Sequence, residues 1–142
     1  MTRIIYKGTI DGEFNGFNDY VLFKLANGTY WIQAEYKYWY HYEYNPDVVI
    51  FQQNNKYFLT VANNTVPVIQ TTNVIESHID GYFNGWQGRT TYRLRNRQVW
   101  QQLTPLYTSA SVFAPEVIIY DSPNEGYKMI VANTVVNVKR IS

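Results

Sequence analysis

The chain has 142 residues, no cysteine and a formal net charge of +1. That length holds one ordinary domain or two very small ones. The missing thiols exclude a disulfide frame and thiolate metal sites, and near-neutrality argues against a polycation that grips nucleic acid by charge alone.

An aromatic share of 18%, most of it tyrosine, goes with many valines, isoleucines and threonines. These residue types favour strands, so an all-β chain is expected. Met1 to Gly8 lacks an apolar run followed by a small-residue cleavage site. No stretch approaches the roughly 18 apolar residues of a spanning helix. The expectation is a soluble, cytoplasmic protein with no membrane attachment.

Taken in order, the chain repeats itself. Ile10-Asp11-Gly12-Glu13-Phe14-Asn15-Gly16-Phe17 recurs as Ile79-Asp80-Gly81-Tyr82-Phe83-Asn84-Gly85-Trp86. The register then holds through Leu25/Leu94, Trp31/Trp100, Gln33/Gln102, Tyr38/Tyr107 and Pro46/Pro115. After a one-residue shift, Val61-Ala62-Asn63 matches Val131-Ala132-Asn133. This predicts an internal duplication into two modules, residues 1–70 and 71–142.

Within a module, Asp11-Gly12 and Asn15-Gly16 are turn dipeptides that tolerate positive φ. Val21 to Leu25 alternates and meets Asn27-Gly28, a hairpin signal leading into a strand at Thr29 or Tyr30. Val48 to Phe51, Tyr57 to Val61 and Val66 to Ile69 read as three more short strands. Thr90 to Leu94, Val99 to Gln102, Val117 to Tyr120, Tyr127 to Val131 and Val135 to Val138 repeat the plan. Nothing has helical periodicity over a useful length. Five or six short strands per module suggest a small, strongly bent barrel.

The most unusual stretch is Glu35 to Tyr44. Tyr36, Tyr38, Tyr40, Tyr42 and Tyr44 occupy every even position. Alternation predicts one strand with an all-tyrosine face and with Lys37, Trp39 and His41 on the other. In the second module Tyr38 and Tyr44 keep aromatic counterparts, Tyr107 and Phe113, whereas Tyr40 and Tyr42 become Ser109 and Ser111 and Trp39 becomes Thr108. A core position should stay large in both copies, so Tyr38 and Tyr44 are expected in the core. Tyr40, Tyr42 and the neighbouring Trp39 and His41 are then free to form a binding surface. Trp39 reads either as an outward anchor or as a filler of the seam between modules.

Arginine is concentrated in the second module. Arg93 and Arg95 lie two apart on a strand whose inward set is Tyr92 and Leu94, so their guanidinium groups should share the outer face. They read first as a charged solvent face that protects an edge strand; the alternatives are a site for an anionic small ligand and a basic surface for acidic residues of another module or subunit.

No catalytic constellation is visible. Asp11 and Asp80 sit in identical turns, Ser109 and Ser111 lack a nearby base, and no nucleophile elbow, phosphate loop or dinucleotide fingerprint occurs. Two histidines without ligand spacing predict no metal site, and no cofactor is expected.

The succession Gly-Phe/Trp, Leu-x-Asn-Gly, Trp-x-Gln, Tyr-x-Tyr-x-Tyr and Pro-x-Val-x-Ile resembles a family of small uncharacterised bacterial domains. Gly85-Trp86-Gln87-Gly88 and Trp100-Gln101-Gln102 carry it in the second module; Asn27-Gly28 and the tyrosine stretch carry it in the first. The resemblance implies two tandem Src-homology-3-like β-barrels related by pseudo-symmetry, and it carries no activity.

The functional expectation is a non-enzymatic interaction protein. It would bind a protein partner or self-associate through Trp39, Tyr40, His41 and Tyr42 of the first module and Arg93 and Arg95 of the second. The alternatives are a nucleotide or single-stranded nucleic-acid binder that combines ring stacking with arginine, which the net charge does not favour, and a carbohydrate-binding module with Gln33 and Gln102 beside aromatic platforms.

Overall fold

The computed structural model describes residues Met1 to Ser142. It is all-β, with no helix, and divides into two compact units, Met1–Thr72 and Asn73–Ser142. No helix is long and apolar enough to cross a membrane.

In unit 1, β1 (Thr2–Thr9), β6 (Asp47–Gln53), β7 (Lys56–Val61), β8 (Asn64–Thr71), β4 (Tyr30–Gln33) and β3 (Leu22–Lys24) form one antiparallel sheet in that order. A short pair, β2 (Glu13–Phe14) and β5 (Glu43–Tyr44), stands apart from it. In unit 2, the sheet order is β9 (Val74–His78), β14 (Glu116–Ser122), β15 (Gly126–Val131), β16 (Thr134–Arg140), β12 (Val99–Gln102) and β11 (Thr91–Arg93). There β10 (Tyr82–Phe83) and β13 (Val112–Phe113) form the short pair. Each element of unit 2 thus has a partner in the same place in the order of unit 1.

The strands form where alternation and turn chemistry agree. Phe23 and Leu25 face inward on the β3 side, as do Ile50 on β6, Leu59 on β7 and Val66 and Val68 on β8. Each fully buried aliphatic or aromatic side chain of this kind stabilises the unit by about 1.5–3 kcal/mol. The β6–β7 and β7–β8 hairpins turn at Asn54-Asn55 and Ala62-Asn63, where all four residues have φ between 48° and 64°. Two consecutive positive-φ residues are the tight turn whose twist suits a hairpin. The sheet of unit 1 runs to Thr71, so the boundary falls two residues beyond the one expected from the repeat.

Neither sheet is a closed barrel, which corrects the expectation of two barrels. β1 and β3 are the outer strands of unit 1 and share only the bridge Ile10–Leu25; in unit 2 the equivalent bridge is Ile79–Leu94. The physical reason is local. Immediately after Ile10 the Asp11-Gly12 turn, with Gly12 at φ 98°, carries the chain away from β3. The curl of each sheet therefore brings its two ends together at one rung and no further.

Candidate functional site

The stretch from Glu35 to Tyr44 is not the single strand that alternation suggested. β4 ends at Gln33, and the next rung is Ala34 N donating to Pro67 O at 2.8 Å. Beyond that the chain is held by separate contacts: Lys37 N to Asn18 O at 3.4 Å, and Phe17 N to Trp39 O at 2.8 Å. Only Glu43 and Tyr44 enter a ladder, opposite Phe14 and Glu13. The chain can come this close because Gly16, at φ 91°, has no Cβ; a Cβ there would run into the Trp39 carbonyl.

Alternation survives without a ladder only around Trp39 and His41; Lys37, expected beside them, is exposed. Tyr36, Tyr38, Tyr40, Tyr42 and Tyr44 are all 51–68% exposed, while Trp39 and His41 between them are half-buried. This corrects two expectations. Tyr38 and Tyr44 are not core residues, and their counterparts Tyr107 and Phe113 are exposed as well. Trp39 is not an outward anchor: it packs on the core of its own unit, 5.1 Å from the Phe17 ring and 6.0 Å from Phe14. Large residues in both units mark exposed positions here. Phe113 meets Tyr82 edge-on at 5.2 Å, and Tyr44 faces Glu13 across the equivalent strand pair.

His41 stacks on Trp39 and directs Nε2 to Glu43 Oε1 at 3.0 Å. Of the residues singled out by sequence, Tyr40 and Tyr42 lie on the exposed row and Trp39 and His41 beneath it. The Tyr42 hydroxyl donates to Glu13 Oε1 at 3.2 Å. Loss of solvent around the hydroxyl, then the Glu13 charge and its hydrogen bond, push the Tyr42 phenol above its ordinary value.

A buried amide anchors the row. Gln33 is fully buried, and its Oε1 accepts from Asn18 N at 3.0 Å. Its Nε2 donates to the carbonyls of Asn18, Glu35 at 2.9 Å and Lys37 at 3.3 Å. One side chain thus ties the loop before β3 to the first residues of the tyrosine stretch. Gln102 does the same in unit 2, accepting from Gln87 N and donating to Thr104 O and Leu106 O at 2.7 and 2.9 Å. Neither glutamine is available to a sugar, which corrects their place in the carbohydrate alternative. Sequence reasoning missed this role. The signal was an amide in the same place after Trp31-Ile32 and Trp100-Gln101, where both strands otherwise turn inward.

In unit 2, Tyr92 and Leu94 are buried and Arg93 and Arg95 exposed, so the two guanidinium groups lie on the outer side of β11 and the turn after it. Arg95 lies over the Phe113 ring, with Cζ 6.0 Å from its centroid. Arg93 and Arg95 belong to one unit and the tyrosine row to the other.

Comparison with family models, with curated proteins and with solved structures returns no match to this chain.

Proposed function

We propose that the protein is a non-enzymatic interaction module that docks a protein partner, including another copy of itself, on the tyrosine row of unit 1. The observation that carries this reading is the five adjacent exposed tyrosine rings, 51–68% accessible, held from below by Trp39 and Gln33. Rigid rings offer a large contact area at low entropic cost, and a pre-ordered row loses little on binding. Arg93 and Arg95 form a second, basic contact surface on unit 2.

The charges around the row support a protein partner over nucleic acid. Glu13, Glu35 and Glu43 sit among the tyrosines, where they would repel phosphates. The tandem Src-homology-3-like assignment and the duplication remain part of the same reading. The common strand order of the two units and the single closing bridge in each support them.

The test is a concentration series of the full chain in the analytical ultracentrifuge, repeated with Tyr40→Ser/Tyr42→Ser, which installs the residues of unit 2. Concentration-dependent association that the double substitution abolishes is expected. A chain monomeric at every concentration, with or without the change, would remove self-association from the reading.

A further inference from the structure

The tyrosine row has a backbone as well as rings, and only one side of that backbone is paired. Phe17 N donates to Trp39 O at 2.8 Å, Trp39 N to Phe17 O at 3.2 Å, Lys37 N to Asn18 O, and Asn45 N to Gly12 O at 2.8 Å. Lys37 O accepts from Gln33 Nε2 at 3.3 Å. In an extended chain the N–H and C=O of one residue point to one side and those of the next to the other. The odd residues thus direct their backbone groups at their own unit, and the even ones direct theirs away from it. The N–H and C=O of Tyr36, Tyr38 and Tyr40 have no hydrogen-bond partner within the chain. Other edges are guarded. In unit 2, Gly88 N donates to Leu106 O at 3.1 Å and Thr108 N to Trp86 O at 2.9 Å, but the place of Tyr36 is held by Pro105, which has no N–H. The outer strand β1 is broken by its bulge between Ile4 and Tyr6. Residues 36–44 contain no proline.

A row of alternating backbone donors and acceptors is matched by another extended chain. We propose that this chain is the tyrosine row of a second copy of the protein, paired antiparallel across a two-fold axis at Tyr40. This rests on the reading of the row as a docking surface and names its partner and its mode of contact. Each even residue offers both a donor and an acceptor, so the edge complements itself under a two-fold axis. With the axis at Tyr40, Tyr36 faces Tyr44 of the second copy and Tyr38 faces Tyr42. Every rung of the exposed face is then an aromatic pair, a cross-strand contact that stabilises sheets. Lys37 faces Glu43 in this register and no like charges meet, whereas an axis at Trp39 would set Glu35 against Glu43. Both charges have contacts of their own, to Thr65 O and to His41; they select the register and do not drive association. The blunted edge of unit 2 keeps the pairing to unit 1, so the assembly closes as a dimer.

The experiment uses the full chain. Tyr40→Ser removes the central ring and keeps its N–H, whereas Tyr40→Pro removes both. Sedimentation equilibrium should show a dimer that Tyr40→Ser weakens. Tyr40→Pro, which deletes both hydrogen bonds of the central rung, should weaken it at least about tenfold further. Ser109→Pro, the same change at the same place in unit 2, should leave dimerisation within about twofold of the parent. Melting curves of each variant confirm the fold. Two measurements on the unaltered chain stand apart from the variants. On association the amides of Tyr38, Tyr40 and Tyr42 should gain protection from exchange. In a mixture of labelled and unlabelled chains, an intermolecular contact should join the Hα atoms of Trp39 and His41, which face each other in this register. Equal dissociation constants for Tyr40→Ser and Tyr40→Pro, or a dimer that lacks the protection or the Trp39–His41 contact, overturn the inference while leaving a docking surface made by the rings. A chain monomeric at every concentration overturns it and leaves the row to a different protein.

Discussion

Trp39 stacks face to face on His41, with ring centroids 4.9 Å apart and planes 5° from parallel. Trp39 also leans on Phe17, so the stack joins the tyrosine stretch to the core of unit 1. It orients the row, because side chains on either side of an inward residue must point outward. Trp39→Ala should cost about 2–4 kcal/mol, somewhat under the value for a fully buried tryptophan. Urea unfolding measures it. A cost below about 0.5 kcal/mol, the range of ordinary surface changes, would mean that the stack does not anchor the segment.

Gln33 is the second anchor. Gln33→Leu keeps the size but strands the carbonyls of Glu35 and Lys37 and the amide of Asn18, so a loss of about 2–4 kcal/mol is expected. Gln33→Glu keeps the acceptor for Asn18 N and loses the donors to the carbonyls. Amide exchange should locate the damage: Asn18 and Lys37, whose amides are hydrogen-bonded here, should lose protection before the β6–β7 hairpin. Uniform loss of protection would place the role of Gln33 in the core and not in the row.

Gly16 and Gly28 separate two kinds of cost. Both have positive φ, 91° and 85°, but a Cβ on Gly28 meets open space and one on Gly16 meets the Trp39 carbonyl. Gly28→Ala should therefore cost about 1 kcal/mol, for the left-handed backbone alone. Gly16→Ala should cost at least about 2 kcal/mol, because the 39–41 backbone must also move away. Equal values from denaturant unfolding would remove the close approach from the account.

Tyr92 provides a pH dependence. Burial raises its phenol above the ordinary value of 10.0, more than its hydrogen bonds lower it. The unfolded chain therefore ionises first as the solution becomes alkaline. The stability Tyr92 contributes is fully present below the unfolded value and is lost as pH rises from there through the folded value. Tyr92→Phe installs the residue found at Phe23 in unit 1 and removes the hydroxyl that donates to Gly85 O at 3.0 Å. That should cost about 1 kcal/mol near pH 8, and the gap between parent and variant should narrow above pH 10. A gap constant with pH would show that this hydroxyl ionises equally in both states.

Much of the fold was legible because local rules agreed. The Asn-rich turns and the two-residue alternation placed β6, β7 and β8 within two residues at each end, and Tyr92 and Leu94 point inward as their spacing required. β1 carried no strand signal in the sequence: most of Thr2 to Thr9 is exposed, and the strand carries a bulge between Ile4 and Tyr6. The tyrosine stretch was half legible. Its parity was right, but which face was inward depends on Phe14 and Phe17, far away in sequence. The comparison of copies misled at Tyr38 and Tyr44, since a residue can stay large for a surface contact as readily as for a core one. Gln33 was legible only as a polar residue in an apolar frame; its partners are carbonyls of a loop whose path alternation does not describe.

The two-residue turns of the β6–β7–β8 meander also set an order of events. These three strands pair with immediate neighbours across tight turns, whereas β1 must find β6 across half of the unit, from Thr9 to Asp47. Closing a long loop costs entropy before any contact repays it. The meander is accordingly the natural nucleus, and β1 and the tyrosine row settle onto it late. A late-settling segment is stabilised by contacts absent from the transition state, so changes in the row act mainly on how fast the unit opens and little on how fast it forms.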